Sequence, residues 1–384
     1  MNRFYNWLVA RQDEMTGLLR LLVELESPSA DKALNDRIGA YIGEAFVRLT
    51  GGSTVSIEDM QYGNHIRCEW GSGPDQILLL GHFDTVWPQG QLQVMPFRIE
   101  NDKAFGPGTV DMKAGLVQAL YAVHALRQLE VHPHARIVLL CTSDEEAGSP
   151  SSRDLILEEA GKSKCVLVLE STTYPVKKMI TARRGIGIYR LKIKGISAHA
   201  GSLQQQGVSS IEELARQIQH IHGLADRSVG ISLNVGKVSG GTAFNVVADY
   251  AEAEIDLRFL EKEDGNRMNE RIMNLLPILP GIQLEVSGGI NRYPMYRDDR
   301  GADLFRRLQS TAREHFGMEL EETLSGGFGD ANLTAGLAPT LDGLGCVGSG
   351  HHALSEHVLW AEMPLHSALL AQFLCDLSGE YVRE

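Results

Sequence analysis

The sequence has 384 residues, 43% of them hydrophobic and 22% charged, so it is long enough to bury a large core and form two domains. Its formal net charge of −13 argues against nucleic acid and anionic membrane surfaces as partners. No apolar run predicts a transmembrane helix, and the amino terminus lacks the pattern of a secretory signal. The five cysteines form no C-x-x-C pair, which predicts buried free thiols in the cytoplasm.

The first part of the chain alternates strands with helices. An amphipathic helix is predicted over "MNRFYNWLVARQDEMTGLLRLL". The later runs "QILLLGHFD", "ARIVLLCTSDEE" and "CVLVLEST" are typical of strands buried on both faces. Between the first two runs, "DMKAGLVQALYAVHALRQLEV" has apolar residues at helical spacing. This order predicts an α/β fold with a mixed, mainly parallel sheet flanked by helices.

The pattern changes near residue 183. "GIGIYRLKIKG" alternates apolar and charged residues, which indicates a strand in a sheet with one solvated face. The following elements complete a β-α-β-β-α-β order, the split unit of a ferredoxin-like sandwich. We therefore predict an inserted domain at 181–290 and a discontinuous catalytic domain at 1–180 and 291–384, ending in a long helix over "MPLHSALLAQFLCDLSGEYV".

Potential metal ligands follow each of the predicted buried strands. In open α/β sheets the carboxyl ends of the strands gather at one edge, where ligands bind. A lone histidine or carboxylate at a strand end is more often a polar cap, but a set of them at one edge predicts a site. The candidates at strand ends and in the glycine-rich loops "GPGTVDMKAG" and "GSGHHALSEH" are His82, Asp84, Asp111, Asp144, Glu145, Glu146, Glu170, His351 and His352.

The chemistry of these candidates indicates a metal site. Histidine and carboxylate ligands without thiolates suit zinc, and also cobalt or manganese. The set is larger than one tetrahedral zinc ion uses, so we expect two Zn²⁺ ions roughly 3.5–4 Å apart with one bridging carboxylate. Bound cations would also offset the mutual repulsion of several carboxylates in one cleft.

Five segments carry a resemblance to a known family. "GHFDTVWP", "GPGTVDMKAG", "TSDEEAGS", "LEST" and "GSGHHALSEHV" resemble, in order and spacing, the motifs of the dinuclear-zinc exopeptidases. That family includes glutamate carboxypeptidases, aminoacylases, acetylornithine deacetylase and succinyl-diaminopimelate desuccinylase. The resemblance covers essentially the whole chain and looks nearest to the glutamate carboxypeptidase branch. It implies that the inserted domain serves as a lid and in dimerisation.

The resemblance also implies roles for the clustered residues. It makes Glu145 the general base and acid, and Asp84 the residue that orients the first histidine ligand. His351 is an alternative for the last ligand, because relatives differ in the spacing from this histidine to the following Glu. The implied ligands are His82, Asp111 as the bridge, Glu146, Glu170 and His352.

Four residues of the second half complete the implied site. The family resemblance assigns His199 to oxyanion stabilisation across a homodimer interface. It assigns Asn245, Arg258 and Arg292 to binding the substrate carboxylate, a role that the planar arginine fork suits. A surface ion pair is the alternative interpretation of Arg258.

These observations lead to three functional hypotheses. The first is zinc-dependent amide hydrolysis that releases a C-terminal, glutamate-like amino acid from a small peptide or an N-acyl amino acid. The second is an N-deacylase similar to acetylornithine deacetylase or the desuccinylase. The third is a metal-binding dimer module without catalysis, which an intact Glu145 disfavours.

Overall fold

The computed structural model describes residues 2–172, 177–378 and 380–382. The chain divides into two compact units. The first unit contains Met1–Ala182, Tyr296–Leu324 and Gly329–Glu384, and the second contains Arg183–Met295 and Ser325–Phe328. The second unit thus extends past the predicted end of the insert and includes a short segment from much later in the chain. No helix among the described residues is both long and apolar enough to cross a membrane.

The helices are α1 (Arg3–Val9), α2 (Gln12–Glu24), α3 (Lys32–Thr50), α4 (Ala114–Gln128), α5 (Arg153–Gly161), α6 (Ser210–Gly223), α7 (Lys262–Met273), α8 (Asp299–Phe316), α9 (Ala331–Thr334) and α10 (Met363–Ser378). The strands are β1 (Ser53–Ile57), β2 (His65–Gly71), β3 (Asp75–His82), β4 (Arg98–Glu100), β5 (Lys103–Phe105), β6 (Val131–Pro133), β7 (Ala135–Thr142), β8 (Cys165–Val168), β9 (Lys178–Arg183), β10 (Gly185–Lys194), β11 (Ala198–His199), β12 (Ser232–Gly240), β13 (Val246–Val247), β14 (Tyr250–Phe259), β15 (Gln283–Arg292), β16 (Glu321–Ser325), β17 (Thr340–Leu341), β18 (Gly348–Ser349), β19 (His357–Leu359) and β20 (Glu380–Val382).

The first unit is built around a sheet with the strand order β1-β2-β7-β3-β8-β17. Strands β7, β3, β8 and β17 run parallel, whereas β1 and β2 pair antiparallel with their neighbours. The central strands are buried along almost their whole length, as their continuous apolar sequences predict. Helices α4 and α10 are buried on nearly all sides and pack on each other. The predicted α/β fold class, with a mixed, mainly parallel sheet flanked by helices, is confirmed.

The parallel pairing brings three strand ends to one edge of the sheet. His82 at the end of β3 is opposite Thr142 at the end of β7, and Leu80 is opposite Val168 at the end of β8. Glycine at the start of α4 allows this helix to approach the same edge, because a Cβ on Gly115 would lie 2.1 Å from the Leu169 carbonyl oxygen. The segments that follow β3, β7 and β8 therefore begin next to one another at this edge of the sheet.

The second unit contains a four-stranded antiparallel sheet with the order β12-β14-β10-β15. Numbered along the chain, this is the order 2-3-1-4 of a ferredoxin-like sandwich. Alternate residues of β14 are buried, and α6 and α7 pack on the sheet to form a core separate from that of the first unit. A lid or dimerisation role for this unit stays a prediction.

Two predicted helices are wrong in extent. The amino-terminal helix is two helices, α1 and α2, because Arg11 leaves helical geometry at φ −121° and its guanidinium stacks on Trp7. The last helix ends at Ser378, and Glu380–Val382 instead forms β20, which pairs antiparallel with β6. Backbone pairing with a distant strand therefore overrides the helical pattern at the carboxyl terminus.

Candidate metal centre and active site

The first group of potential ligands surrounds the end of β3. His82 is buried, and its Nε2 lies 3.2 Å from Asp111 Oδ1 and 3.3 Å from Glu170 Oε1. Nε2 makes no hydrogen bond of acceptable geometry to any residue that the structure describes. The three donor atoms lie within 4.8 Å of one another. They are arranged as ligands around a shared point rather than as hydrogen-bonded partners.

A second group shares Asp111 with the first. Nε2 of His352 lies 3.2 Å from Asp111 Oδ2 and 3.4 Å from Glu146 Oε2. These donor atoms also lie within 4.8 Å of one another. The two oxygens of Asp111 therefore face different histidines, which is the arrangement that a carboxylate bridging two ions requires.

The titration behaviour of the cluster follows from its crowded charges. Burial, together with the negative charge of Asp111, raises the pKa of Glu170 to about 7. Burial also raises the pKa of Glu146. Interaction with Asp111 and Glu146 raises the pKa of His352 to about 10. Burial alone would lower the pKa of His82, but the surrounding carboxylates raise it well above its ordinary value. A cluster with this excess of carboxylates and only nitrogen and oxygen donors fits a pair of divalent cations.

Asp84 connects the first histidine to the turn after β7. Nδ1 of His82 lies 3.4 Å from Asp84 Oδ1 and 3.1 Å from the Asp84 carbonyl oxygen. The Asp84 carboxylate accepts hydrogen bonds from the backbone N–H groups of Glu145 and Glu146, at 3.1 and 3.2 Å, and from the Ser29 hydroxyl. Asp84 therefore holds the ring of His82 and the backbone of the Glu145–Glu146 pair in one arrangement.

Two pairs of adjacent residues, Glu145–Glu146 and His351–His352, were candidates for the site. In each pair the two side chains make different contacts. Glu146 belongs to the second ligand group, whereas Glu145 is buried beside it and belongs to neither group. His352 lies in the second group, whereas Nε2 of His351 lies 2.7 Å from the Ser171 hydroxyl. His352 has a positive φ of 57°, which is uncommon for a residue with a side chain and is typical of functional turns.

Sequence reasoning missed the role of Glu356. Glu356 is buried and accepts hydrogen bonds from Trp87 Nε1 and from backbone N–H groups of the Asp111 loop. The sequence contained one signal of its importance, because Glu356 is the acidic residue of the motif that contains His352. In the motif, Glu356 had been used only as the reference position from which the histidine ligand was chosen.

His199 and Asn245 lie together in the second unit. His199 is exposed at the end of β11, which pairs with β13, and the Asn245 carbonyl accepts the Ala200 N–H at 2.9 Å. Nδ1 of His199 accepts hydrogen bonds from the backbone N–H groups of Gly201 and Ser202, at 3.1 and 3.2 Å. Since Nδ1 acts as the acceptor, the proton of the neutral ring is assigned to Nε2, which makes Nε2 a hydrogen-bond donor.

Arg258 and Arg292 converge at another place in the second unit. Both are paired with Ile186 of the central strand β10, so they flank it from the two neighbouring strands. Their guanidinium carbons lie 5.2 and 4.9 Å from the centre of the Phe328 ring. Arg258 also forms an ion pair with Asp256 at 2.8 Å, while Arg292 is almost fully buried and donates to Asn291. The segment Ser325–Phe328 thus contributes an aromatic ring that the sequence had not assigned to this unit.

Comparisons with known proteins found similar sequences and a similar solved structure over most of the chain. Carboxypeptidase G2 of Pseudomonas sp. (strain RS-16) is 29% identical over 315 residues, covering 80% of this chain and 75% of the relative. Succinyl-diaminopimelate desuccinylase of Delftia acidovorans is 26% identical over 313 residues, covering 76% and 80%. The solved structure of an M20 family metallo-carboxypeptidase from Sulfolobus solfataricus superposes with a TM-score of 0.75 at 16% identity, covering 94% of this chain and 99% of the other.

The family assignment rests on a match over most of the chain. The profile described as "Peptidase family M20/M25/M40" matches residues 78–376, which include both candidate ligand groups and the whole second unit. The family resemblance inferred from the five motifs is confirmed. The chain belongs to peptidase family M20/M25/M40, a family of metal-dependent hydrolases.

Proposed function

We propose that the protein hydrolyses an amide bond and releases a C-terminal, glutamate-like amino acid from a small peptide or an N-acyl amino acid. The observation that carries this proposal is the pair of ligand groups joined by the two oxygens of Asp111. The similarity to carboxypeptidase G2 supports the choice of a C-terminal amino acid as the product.

We assign each candidate ligand to one of two ions on the basis of the two ligand groups. His82 and Glu170 would hold one ion, Glu146 and His352 would hold the other, and Asp111 would bridge them. The ligands suit Zn²⁺, with Co²⁺ or Mn²⁺ as alternatives. When bound, the ions would supply Lewis-acid polarisation of the scissile carbonyl and acidify the attacking water.

Glu145 is the proposed general base and acid. Its backbone N–H is bound to Asp84, so the turn that carries it is fixed relative to the first ligand. The Glu145 carboxylate would take a proton from the attacking water as the C–O bond forms. It would return this proton to the leaving amine nitrogen as the C–N bond breaks.

The second unit contributes groups that contact the substrate. Nε2–H of His199 would donate to the oxygen that becomes negative when the carbonyl is attacked. Asn245, Arg258 and Arg292 would bind the carboxylate of the released amino acid. Arginine suits this task because its planar fork pairs with both carboxylate oxygens.

The oligomeric state and the cellular compartment are also part of what we propose. We propose a homodimer formed through the second unit, in which His199 serves the partner's site. The five cysteines are free and buried, which fits a reducing cytoplasm. Mixing His199→Ala with Glu145→Ala subunits would test the shared site, because only a mixed dimer contains one complete site. If activity stays at the level of the separate variants, His199 is not shared.

One experiment tests the reaction itself. The zinc-loaded protein is incubated with dipeptides ending in glutamate and with acetylated and succinylated amino acids, and the released amine is measured. We expect the highest kcat/KM for the glutamate-ending substrates. A preference for the acylated monomers would favour the N-deacylase, which the similarity to the desuccinylase supports. No turnover of any substrate by metal-replete protein would favour a catalytically silent binding module.

A further inference from the structure

Glu356 makes an unusual set of contacts for a buried carboxylate. Its side chain is 1% exposed. Oε2 accepts from Trp87 Nε1 at 2.8 Å and from the Gly108 N–H at 3.0 Å. Oε1 accepts from the Val110 N–H at 3.0 Å and from the Asp111 N–H at 3.3 Å. All four partners are donors, so each carboxylate oxygen binds two N–H groups.

These contacts determine the path of the loop that leads to Asp111. The N–H groups of Gly108, Val110 and Asp111 have no partners in a helix, because they lie before or in the first turn of a one-turn π-helix (Thr109–Lys113) that precedes α4. Gly108 adopts a positive φ of 72°, and a Cβ there would lie 2.6 Å from Thr85 Cγ2, so the turn itself is tightly confined. A buried N–H group without an acceptor destabilises the fold, because it loses its hydrogen bond to water. The Glu356 carboxylate removes this cost for three N–H groups of one turn.

Glu356 also joins the segments that contain the other candidate ligands. Trp87 lies five positions after His82, on the segment that leaves β3. The backbone N–H of Glu356 donates to the Ala353 carbonyl, which closes the turn directly after His352. One carboxylate is therefore hydrogen-bonded to the segment after His82 and to the Asp111 loop, and its own backbone closes the His352 turn.

We propose that Glu356 is the positioning residue for the bridging carboxylate of Asp111, and that Trp87 in turn positions Glu356. The proposal rests on the proposed function, because it concerns the alignment of the same ligands. Glu356 belongs to neither ligand group, so it acts through the Asp111 backbone rather than on substrate. A residue that only supports the fold would change stability and leave the arrangement of metal ligands as it was.

The test uses Co²⁺ in place of the native ion, because its visible absorption bands report ligand geometry. In Glu356→Gln the amide NH₂ must face two of the four N–H donors whichever way it is oriented. Trp87→Phe removes one donor and keeps an aromatic ring. We expect Co²⁺ affinity to fall about 10- to 100-fold in Glu356→Gln, with altered visible bands and a lower kcat. We expect a smaller change in the same direction in Trp87→Phe.

Two matched controls separate alignment from stability. Glu213 is a fully buried carboxylate of the second unit that accepts the N–H groups of Ile278 and Leu279, so Glu213→Gln is the same chemical change. Trp360 Nε1 donates to the Asn101 carbonyl, so Trp360→Phe matches the loss of an indole donor. Both controls are expected to bind Co²⁺ with the affinity and bands of the unaltered protein.

The outcomes distinguish this proposal from the proposed function. If the unaltered protein binds two Co²⁺ ions and Glu356→Gln binds them with the same affinity and bands, the positioning role is wrong and the metal centre stands. If the unaltered protein binds none, both proposals are wrong. Should Glu356→Gln fail to fold, Trp87→Phe decides: weaker binding with altered bands supports the proposal, and unchanged binding overturns it.

Discussion

The two units hold their candidate residues in different ways. In the first unit the candidate ligands lie at the ends of parallel buried strands and in loops tied to buried carboxylates. In the second unit His199 and Asn245 are exposed on a two-stranded element, while Arg258 and Arg292 converge on an aromatic ring. The first arrangement brings several ligand atoms to common points within one unit. The second holds separate groups, of which His199 and Asn245 are exposed and Arg292 is buried.

This difference leads to a division of roles. Changes to the ligand cluster of the first unit are expected to alter metal binding, and activity only as a consequence. Changes in the second unit are expected to alter turnover or substrate affinity while the metal content stays the same. Metal analysis and kinetics, measured together on the same variants, can therefore confirm the division or show that it is wrong.

The largest effect is expected at the adjacent pair Glu145 and Glu146. Replacement of a general base costs about 10²- to 10⁴-fold, so Glu145→Gln should lower kcat by this factor. Because Glu145 belongs to neither ligand group, the variant should keep both ions. Glu146→Gln is the matched variant, and it should lose affinity for one ion. The measurements are steady-state kinetics and metal content after gel filtration. Equal metal loss in both variants would contradict the assignment.

His199 is the sharpest test of the second unit. Loss of one oxyanion donor costs about 10²- to 10³-fold in kcat, so His199→Ala should fall in this range with little change in KM. Metal content should match that of the unaltered protein, because His199 is in the other unit and outside both ligand groups. A large rise in KM at unchanged kcat would instead indicate a role in substrate binding.

The parts of the site that the sequence could predict are those set by local patterns. His82 and Glu170 follow apolar runs typical of parallel strands, and the rule for strand ends is enough to place them at one edge. The contact of Glu356 with Gly108 spans 248 residues, and no local pattern encodes it. Phe328 was equally hidden, since its four-residue segment joins the second unit through tertiary packing alone. Sequence reasoning thus identified the candidate ligands and Asp84, but not the long-range contacts of Glu356 and Phe328.

A smaller effect is expected from Arg292 of the second unit. Lysine keeps the charge but cannot form two parallel hydrogen bonds to a carboxylate, and a charged hydrogen bond contributes about 1.5–3 kcal/mol. Arg292→Lys should therefore raise KM about 10- to 100-fold for a substrate with a free C-terminal carboxylate. The same substrate with a C-terminal amide is the control, and its kcat/KM should be unaffected by the replacement. An equal loss for both substrates would show that Arg292 serves the fold rather than the carboxylate.

The smallest effect concerns stability and lies outside both sets of candidate residues. His366 of α10 is buried, and burial together with the positive charge of Lys177 lowers its pKa to about 4. Because the unfolded chain has a histidine pKa near 6.5, it binds more protons than the folded chain between about pH 4 and pH 6.5. This contribution to stability is therefore fully present above pH 6.5 and is lost as the pH falls toward 4.

The neutral variant His366→Gln removes this pH-dependent contribution to stability. Between pH 7 and pH 5 the unaltered protein should lose about 1–2 kcal/mol of unfolding free energy more than the variant does. Urea unfolding of both proteins at the two pH values gives this difference, in which the titration of all other groups cancels. His222, exposed on α6 of the second unit, is the control. His222→Gln should lose the same unfolding free energy between the two pH values as the unaltered protein. If His366→Gln loses as much unfolding free energy between pH 7 and pH 5 as the unaltered protein does, the proton-linked stability of the first unit does not come from His366.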